Sequence, residues 1–165
     1  MAAAKPKMFL TKNDLAPDVR GKAITLLNQQ LADTTDLYSQ TKQAHWNVKG
    51  MHFYQLHQLF DTLADAVEEY VDLIAERATA LGGTALGTVR MSGAASRLPE
   101  YPLDAVDGRQ HVEALTTRFA AVAKTSRAAI DAAASFGDAD TADVFTEVSR
   151  GLDKHLWFLE SHLAD

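Results

Sequence analysis

Residues 52–83 read HFYQLHQLFDTLADAVEEYVDLIAERATALGG. Leu56, Phe60, Leu63, Val67, Tyr70, Ile74 and Leu81 recur at helical spacing, so one apolar stripe runs the length of a single long helix. Gly82-Gly83 closes it, because glycine adopts the backbone conformation that ends a helix at little cost. At about 100° per residue the stripe stays within roughly ±40° of its centre, whereas His57, Asp61, Asp72 and Glu76 fall about 100–200° away. The helix therefore has a core face and an outer face that carries imidazole and carboxylate.

Working outward, a first helix is predicted from near Asp18 to Lys49, with Ile24, Leu27, Leu31 and Tyr38 on its stripe and Gly50 as its stop. A third begins after Asp107, where Gln110 completes a variant capping box, and ends at Gly137. Its stripe is Val112, Leu115, Phe119, Val122, Ala129 and Ala133. A fourth starts within Asp138–Thr141 and buries Phe145, Val148, Leu152, Leu159 and Leu163. Short connections make two antiparallel hairpins. Between them lies a long segment, Gly82 to Asp107, containing Pro99 and Pro102. Helical connections are seldom so long, and a short helix is expected within it, near Thr88–Ser96. The fold class is all-α: a ferritin-like four-helix bundle with a short helix in the long crossover.

The 165 residues suffice for one domain, placed at 16–165 behind a flexible basic leader at 1–15. Lys5, Lys7 and Lys12 against Asp14 give the first fourteen residues a net +2, which leaves −8 on the rest of a chain whose total is −6. A body so acidic repels phosphate, so any contact with DNA falls to the three tail lysines. Cysteine is absent, which excludes disulfides, thiolate metal sites and cysteine nucleophiles and suits a cytoplasmic setting. Neither a secretory leader nor a transmembrane stretch is expected, and no membrane partner.

His45, His57, Asp61, Asp72 and Glu76 form an imidazole–carboxylate set that suits iron or zinc. Asp61 follows His57 by four residues and Glu76 follows Asp72 by four, so each pair projects from one helical face. Along a continuous helix, Asp61 and Asp72 stand roughly 16 Å apart, whereas ligands lie about 2–2.6 Å from their ion. Either the pairs serve different sites, or two copies pack antiparallel and complete one site between them. No Glu-x-x-His motif is present, so a di-iron site inside the bundle is not expected. On pattern alone His45, close to the first helix's apolar stripe, reads as a hydrogen-bonded core histidine.

The stretches Thr41-Lys42-Gln43-Ala44-His45-Trp46-Asn47, His57-x-x-x-Asp61 and Asp72-x-x-x-Glu76-Arg77 resemble the signature of the Dps family, the starvation-induced mini-ferritins. Leu81 to Thr88 and Ser149 to Phe158 extend the likeness, which runs from about Ala16 onward. The resemblance implies a hollow dodecamer that oxidises Fe(II), preferentially with hydrogen peroxide, stores the ferric product and protects DNA. It implies a site at a two-fold interface, with His45, His57 and Asp61 from one chain and Asp72 and Glu76 from its partner; Asp61 and Glu76 would be the strong ligands, and zinc could take iron's place.

Trp46, next to a ligand, would shield the site or intercept radicals. Asp138 and Asp143 resemble carboxylates of the family's iron-entry pores, with Glu147 extending that face; helix capping is the competing reading for Asp138. Asp153 resembles a residue that pairs with Arg77 across the interface. Trp157 reads as packing, and His52, His111, His155 and His162 as surface or locally hydrogen-bonded residues. The rival function is a nucleoid-associated, DNA-coating protein whose metal chemistry is secondary.

Overall fold

A computed structural model describes residues 6–164. Five helices follow in order: α1 (Pro17–Asn47), α2 (Phe53–Ala80), α3 (Val89–Ala95), α4 (Gly108–Ser135) and α5 (Ala139–Glu160). The fold is all-α and ferritin-like, with the short helix α3 in the crossover. Boundaries differ from the expected ones by a residue or two, and local chemistry explains the shifts. Pro17 opens α1 because the first helical position needs neither its missing N–H nor a different φ. α1 stops at Asn47 because Val48 turns extended and the Lys49 N–H is drawn to the Val106 carbonyl at 3.1 Å. At the end of α2, Gly82 takes φ +82°, so that Gly82 and Gly83 N–H return to the carbonyls of Thr79 and Ala78.

Capping is as legible in space as in sequence. The Asp107 side chain accepts from Gln110 N at 2.9 Å, and the Gln110 side chain reaches back to Asp107 N at 3.1 Å, a complete capping box. Thr88 caps α3 through Met91 N. α1 packs on α2 and α4 on α5 as hairpins; α1 against α4 and α2 against α5 close the bundle.

The stripes meet in one core. Leu27, Leu31, Leu37, Phe60, Leu63, Ile74, Leu115, Phe119, Phe145, Leu152 and Leu159 have almost no exposed surface. At Gly151 a Cβ would meet Tyr70 Oη at 1.9 Å, so glycine is what lets α5 approach α2 there. Trp157 departs from the packing reading: it is 63% exposed and touches chiefly Phe158, ring centroids 5.1 Å apart. It sits in the last turn of α5, off the core stripe that Leu152 and Leu159 continue.

Lys5 lies outside the described residues. From Lys7 on, the non-helical leader lies against the α2–α3 junction: Thr84 Oγ1 donates to the Lys7 carbonyl at 2.9 Å and Phe9 N to the Gly82 carbonyl at 2.7 Å. Lys7 and Lys12 are exposed. Among the described residues, no helix is long and apolar enough to cross a membrane.

Candidate metal centre

The last turn of α1 meets the start of α2 across a tight turn, and this brings His45 and His57 face to face. Their rings stack with centroids 3.7 Å apart and planes 19° from parallel. Each Nδ1 lies 2.8 Å from the other residue's backbone carbonyl. A carbonyl only accepts, so both Nδ1 atoms carry hydrogen, and in the neutral form each ring keeps the Nε2 lone pair free. His57 thereby also satisfies a carbonyl in α1's last turn that the helix leaves unpaired.

Asp61 stands one turn along α2. Its Oδ1 is 3.7 Å from His45 Nε2 and 2.5 Å from the Lys42 ammonium. That hydrogen bond holds the Asp61 carboxyl below the ordinary carboxylate range and raises Lys42 above the ordinary lysine range; burial opposes both shifts. Lys42 lies one turn before Trp46, with the ammonium 6.0 Å from the indole, and Trp46 is 65% exposed. His45 itself is buried, as its place near the apolar stripe suggested, yet its Nε2 looks towards an aspartate with open surface.

Asp72 and Glu76 lie exposed further along α2, three to four turns from Asp61. Among the described residues, no three His, Asp or Glu side chains of one chain close around a common point tightly enough to hold an ion. The structure thus brings His45, His57 and Asp61 together and leaves Asp72 and Glu76 apart from them on the same helix.

The residues read as a pore divide in two. Asp138 is the buried N-cap of α5, with its side chain 1% exposed. Its Oδ1 accepts from Thr141 N at 3.0 Å and from Arg77 Nη2 at 2.7 Å, and its Oδ2 from Thr141 Oγ1 at 2.6 Å. A carboxylate held by these donors has no open face to offer a passing cation, so Asp138 takes the capping role and not the pore role. Asp143 and Glu147, one turn apart, are exposed. Arg77 and Asp153, expected to pair across an interface, each have a partner within the single chain. Arg77 is engaged within its own chain by Asp138, with Asp140 3.6 Å away, and Asp153 pairs with Arg127 at 2.6 Å.

Two features had no counterpart in the sequence reading. One is Lys42 on Asp61, nineteen residues apart in the chain. The other is a buried polar band behind α1, in which Tyr101 and His111 take part. The capping box placed His111 in the first turn of α4 but carried no sign of its partner.

The fold is that of a ferritin-like protein, and comparison with known proteins narrows the class. A family model described as a ferritin-like domain matches residues 24–165. The DNA protection during starvation protein of Agrobacterium fabrum is 45% identical over 159 residues, covering 96% of this chain and 98% of that one. The solved structure of DpsA14 from Streptomyces coelicolor aligns with a TM-score of 0.90 at 31% identity, covering 98% of this chain and 96% of its own. Dps from Microbacterium arborescens, solved in a high iron form, aligns with a TM-score of 0.84 at 31% identity over 91% of this chain and 97% of its own. The chain belongs to the Dps family of ferritin-like proteins.

Proposed function

We propose that two copies of this chain pack with their α2 helices antiparallel, so that His45, His57 and Asp61 of one and Asp72 and Glu76 of the other complete a site for substrate Fe(II). Hydrogen peroxide is the preferred oxidant, one peroxide taking an electron from each of two Fe(II) ions, and the ferric product collects inside a hollow dodecamer. Removing Fe(II) and peroxide together would protect nearby DNA, in keeping with the name of the Agrobacterium relative. A cytoplasmic setting goes with this reading.

The observation that carries it is the His45–His57 pair. Both Nδ1 atoms are spent on backbone carbonyls, so in its neutral form each imidazole keeps its Nε2 for a ligand, and that of His45 lies 3.7 Å from Asp61. A ring N–H donated to a backbone carbonyl is the usual outer support of a metal-binding histidine. The donor set fits divalent iron: two nitrogens and a carboxylate from one chain, two carboxylates from the next. Zinc, with similar preferences, would compete at the same place. Lys42 neutralises Asp61 in the apo chain, and a cation arriving there must displace the ammonium. Trp46, exposed one residue after His45, would be covered by the partner and shield the site. Asp143 and Glu147 offer an acidic face for iron entry.

Mixing two inactive variants tests the shared site. Asp61→Ala and Glu76→Ala should each abolish rapid peroxide-dependent Fe(II) oxidation while the bundle stays folded. Assemblies re-formed from both should regain part of the activity, since some interfaces then hold one intact set. No recovery in verified mixed assemblies would place the whole site in a single chain.

A further inference from the structure

Behind the half-site, on the far side of α1, runs a buried polar band that the proposed reaction does not use. Gln40 Nε2 donates to the Pro99 carbonyl at 3.0 Å, and Gln40 Oε1 accepts from Arg118 Nε at 2.5 Å. Arg118, 6% exposed, donates also to the carbonyls of Glu100 and Ala114, at 2.6 and 3.0 Å, and its guanidinium lies 5.4 Å from the Tyr101 ring centroid. Tyr101 Oη meets His111 Nδ1 at 2.6 Å. His111 is 1% exposed, its Nε2 makes no well-formed hydrogen bond, and the Asn47 backbone lies beside the ring. One residue pair further, Lys49 N donates to the Val106 carbonyl and ties the exit of α1 to the entry of α4.

The register of α1 turns this band into a device. Gln40, Ala44 and Asn47 are spaced four and three apart and share the face that the band grips; Lys42, His45 and Trp46 come off the other sides. A helix gripped at Gln40 by Arg118 and the Pro99 carbonyl, and tied two residues past its end by Lys49 N to the Val106 carbonyl, cannot rotate about its axis in between. Burial pushes the Tyr101 phenol up and the His111 imidazole down, so both stay neutral and their hydrogen bond persists at neutral pH.

We propose that Tyr101 and His111 are positioning residues for the candidate metal centre: with Arg118 and Gln40 they fix the rotation of the last two turns of α1, and so the directions of Lys42 and His45. The proposal rests on the metal reading above for its consequence, though not for its geometry. Second-layer contacts of this kind commonly govern ligand orientation and affinity at metal sites.

The test uses the full-length assembled protein with 13C,15N-labelled histidine. Tyr101→Phe removes the hydroxyl and keeps the ring under Arg118. His111→Phe removes the acceptor, and His111→Gln restores one. Arg97→Gln is the control, since it cuts another crossover–α1 tie, the Arg97–Asp33 ion pair at 2.5 Å, away from the band. Tyr101→Phe and His111→Phe should move the ring resonances of His45 and His57 and weaken Zn(II) binding about tenfold by calorimetry. His111→Gln should recover most of both, and Arg97→Gln should lower the melting temperature without moving the rings. Unmoved ring resonances in Tyr101→Phe, or an equal movement in Arg97→Gln, would overturn the proposal. Should His111→Phe fail to assemble, Tyr101→Phe decides alone. If the unmodified protein takes up no Zn(II), the metal reading fails, while the ring resonances still decide whether the band positions His45.

Discussion

His45 and His57 exchange hydrogen bonds: each imidazole Nδ1 lies 2.8 Å from the other's carbonyl, with the rings stacked at 3.7 Å. The exchange locks two side chains and two helix ends at once, and it dictates a tautomer. In their neutral form both rings should therefore show hydrogen on Nδ1 and a bare Nε2 in 15N spectra of the protein without metal. Substituting either residue by Ala should cost about 1 kcal/mol of stability, with a coupling of similar size in the double-mutant cycle. Rings protonated at Nε2, or strictly additive losses, would mean that the exchange does not hold in solution.

Lys42 and Asp61 make the second prediction. The ammonium sits on the oxygen that a cation would need, so an incoming metal exchanges one charge partner for another. Replacing Lys42 by Met removes the competitor, and Zn(II) should bind Asp61 several-fold more tightly by calorimetry. Weaker binding would mean that Lys42 assists the metal. The pH behaviour follows from the shifts. Asp61, depressed in the fold, contributes stability that is present above its unfolded value and lost as pH falls through the folded one. Lys42, raised in the fold, contributes stability that is present below its unfolded value and lost as pH rises through the folded one. Side chains 41% and 21% exposed make both contributions small. In Lys42→Met the Asp61 carboxyl should titrate closer to the ordinary range, which carboxyl 13C shifts would read directly.

How far these features were legible depends on chain distance. The helices were, because apolar residues at three- and four-residue spacing write the core directly into the sequence, and Asp107 with Gln110 marks a helix start within four residues. The outer-face placement of Asp61, Asp72 and Glu76 was equally legible, since off-stripe position is arithmetic on a single helix. Asp138 was not resolved: a carboxylate before a helix reads as a cap or as a pore residue until Arg77, sixty-one residues earlier, is seen to reach it. Tyr101–His111 stayed hidden for another reason. Tyr101 lies in the crossover, where no periodicity says which way a side chain faces. Whether the five residues bind metal is a question of how copies meet, and one chain's sequence pattern raises it without answering it.

Asp138 and Asp143 should separate cleanly by mutation. Asp138→Ala removes the α5 cap and leaves Arg77 without its buried partner, so it should destabilise the fold by about 2 kcal/mol or more. Asp143→Asn with Glu147→Gln touches exposed side chains and should change stability by less than about 0.5 kcal/mol. If these two line an entry path, that double variant should slow iron uptake at low ionic strength, and added salt should narrow the difference from the parent protein. Uptake unchanged by the double variant would move the entry path elsewhere.

DNA binding is the last prediction, and the tail's own contacts shape it. Lys7 and Lys12 are exposed, but the Lys7 carbonyl is bound by Thr84 and Phe9 is hydrogen-bonded to Gly82, which limits how far these lysines extend from an acidic body. With Lys5 they make three positive charges per chain, few for one chain and appreciable only where many tails act together on one assembly. The expected outcome is weak, sequence-independent binding that falls steeply as salt rises, because each neutralised phosphate releases counterions. Deleting residues 1–12 should abolish it in a gel-shift series over salt. Substituting Thr84→Ala, which frees the Lys7 carbonyl, should strengthen it modestly. Tight binding by the truncated protein, or binding indifferent to salt, would assign DNA contact to the body and favour the rival reading of a DNA-coating protein.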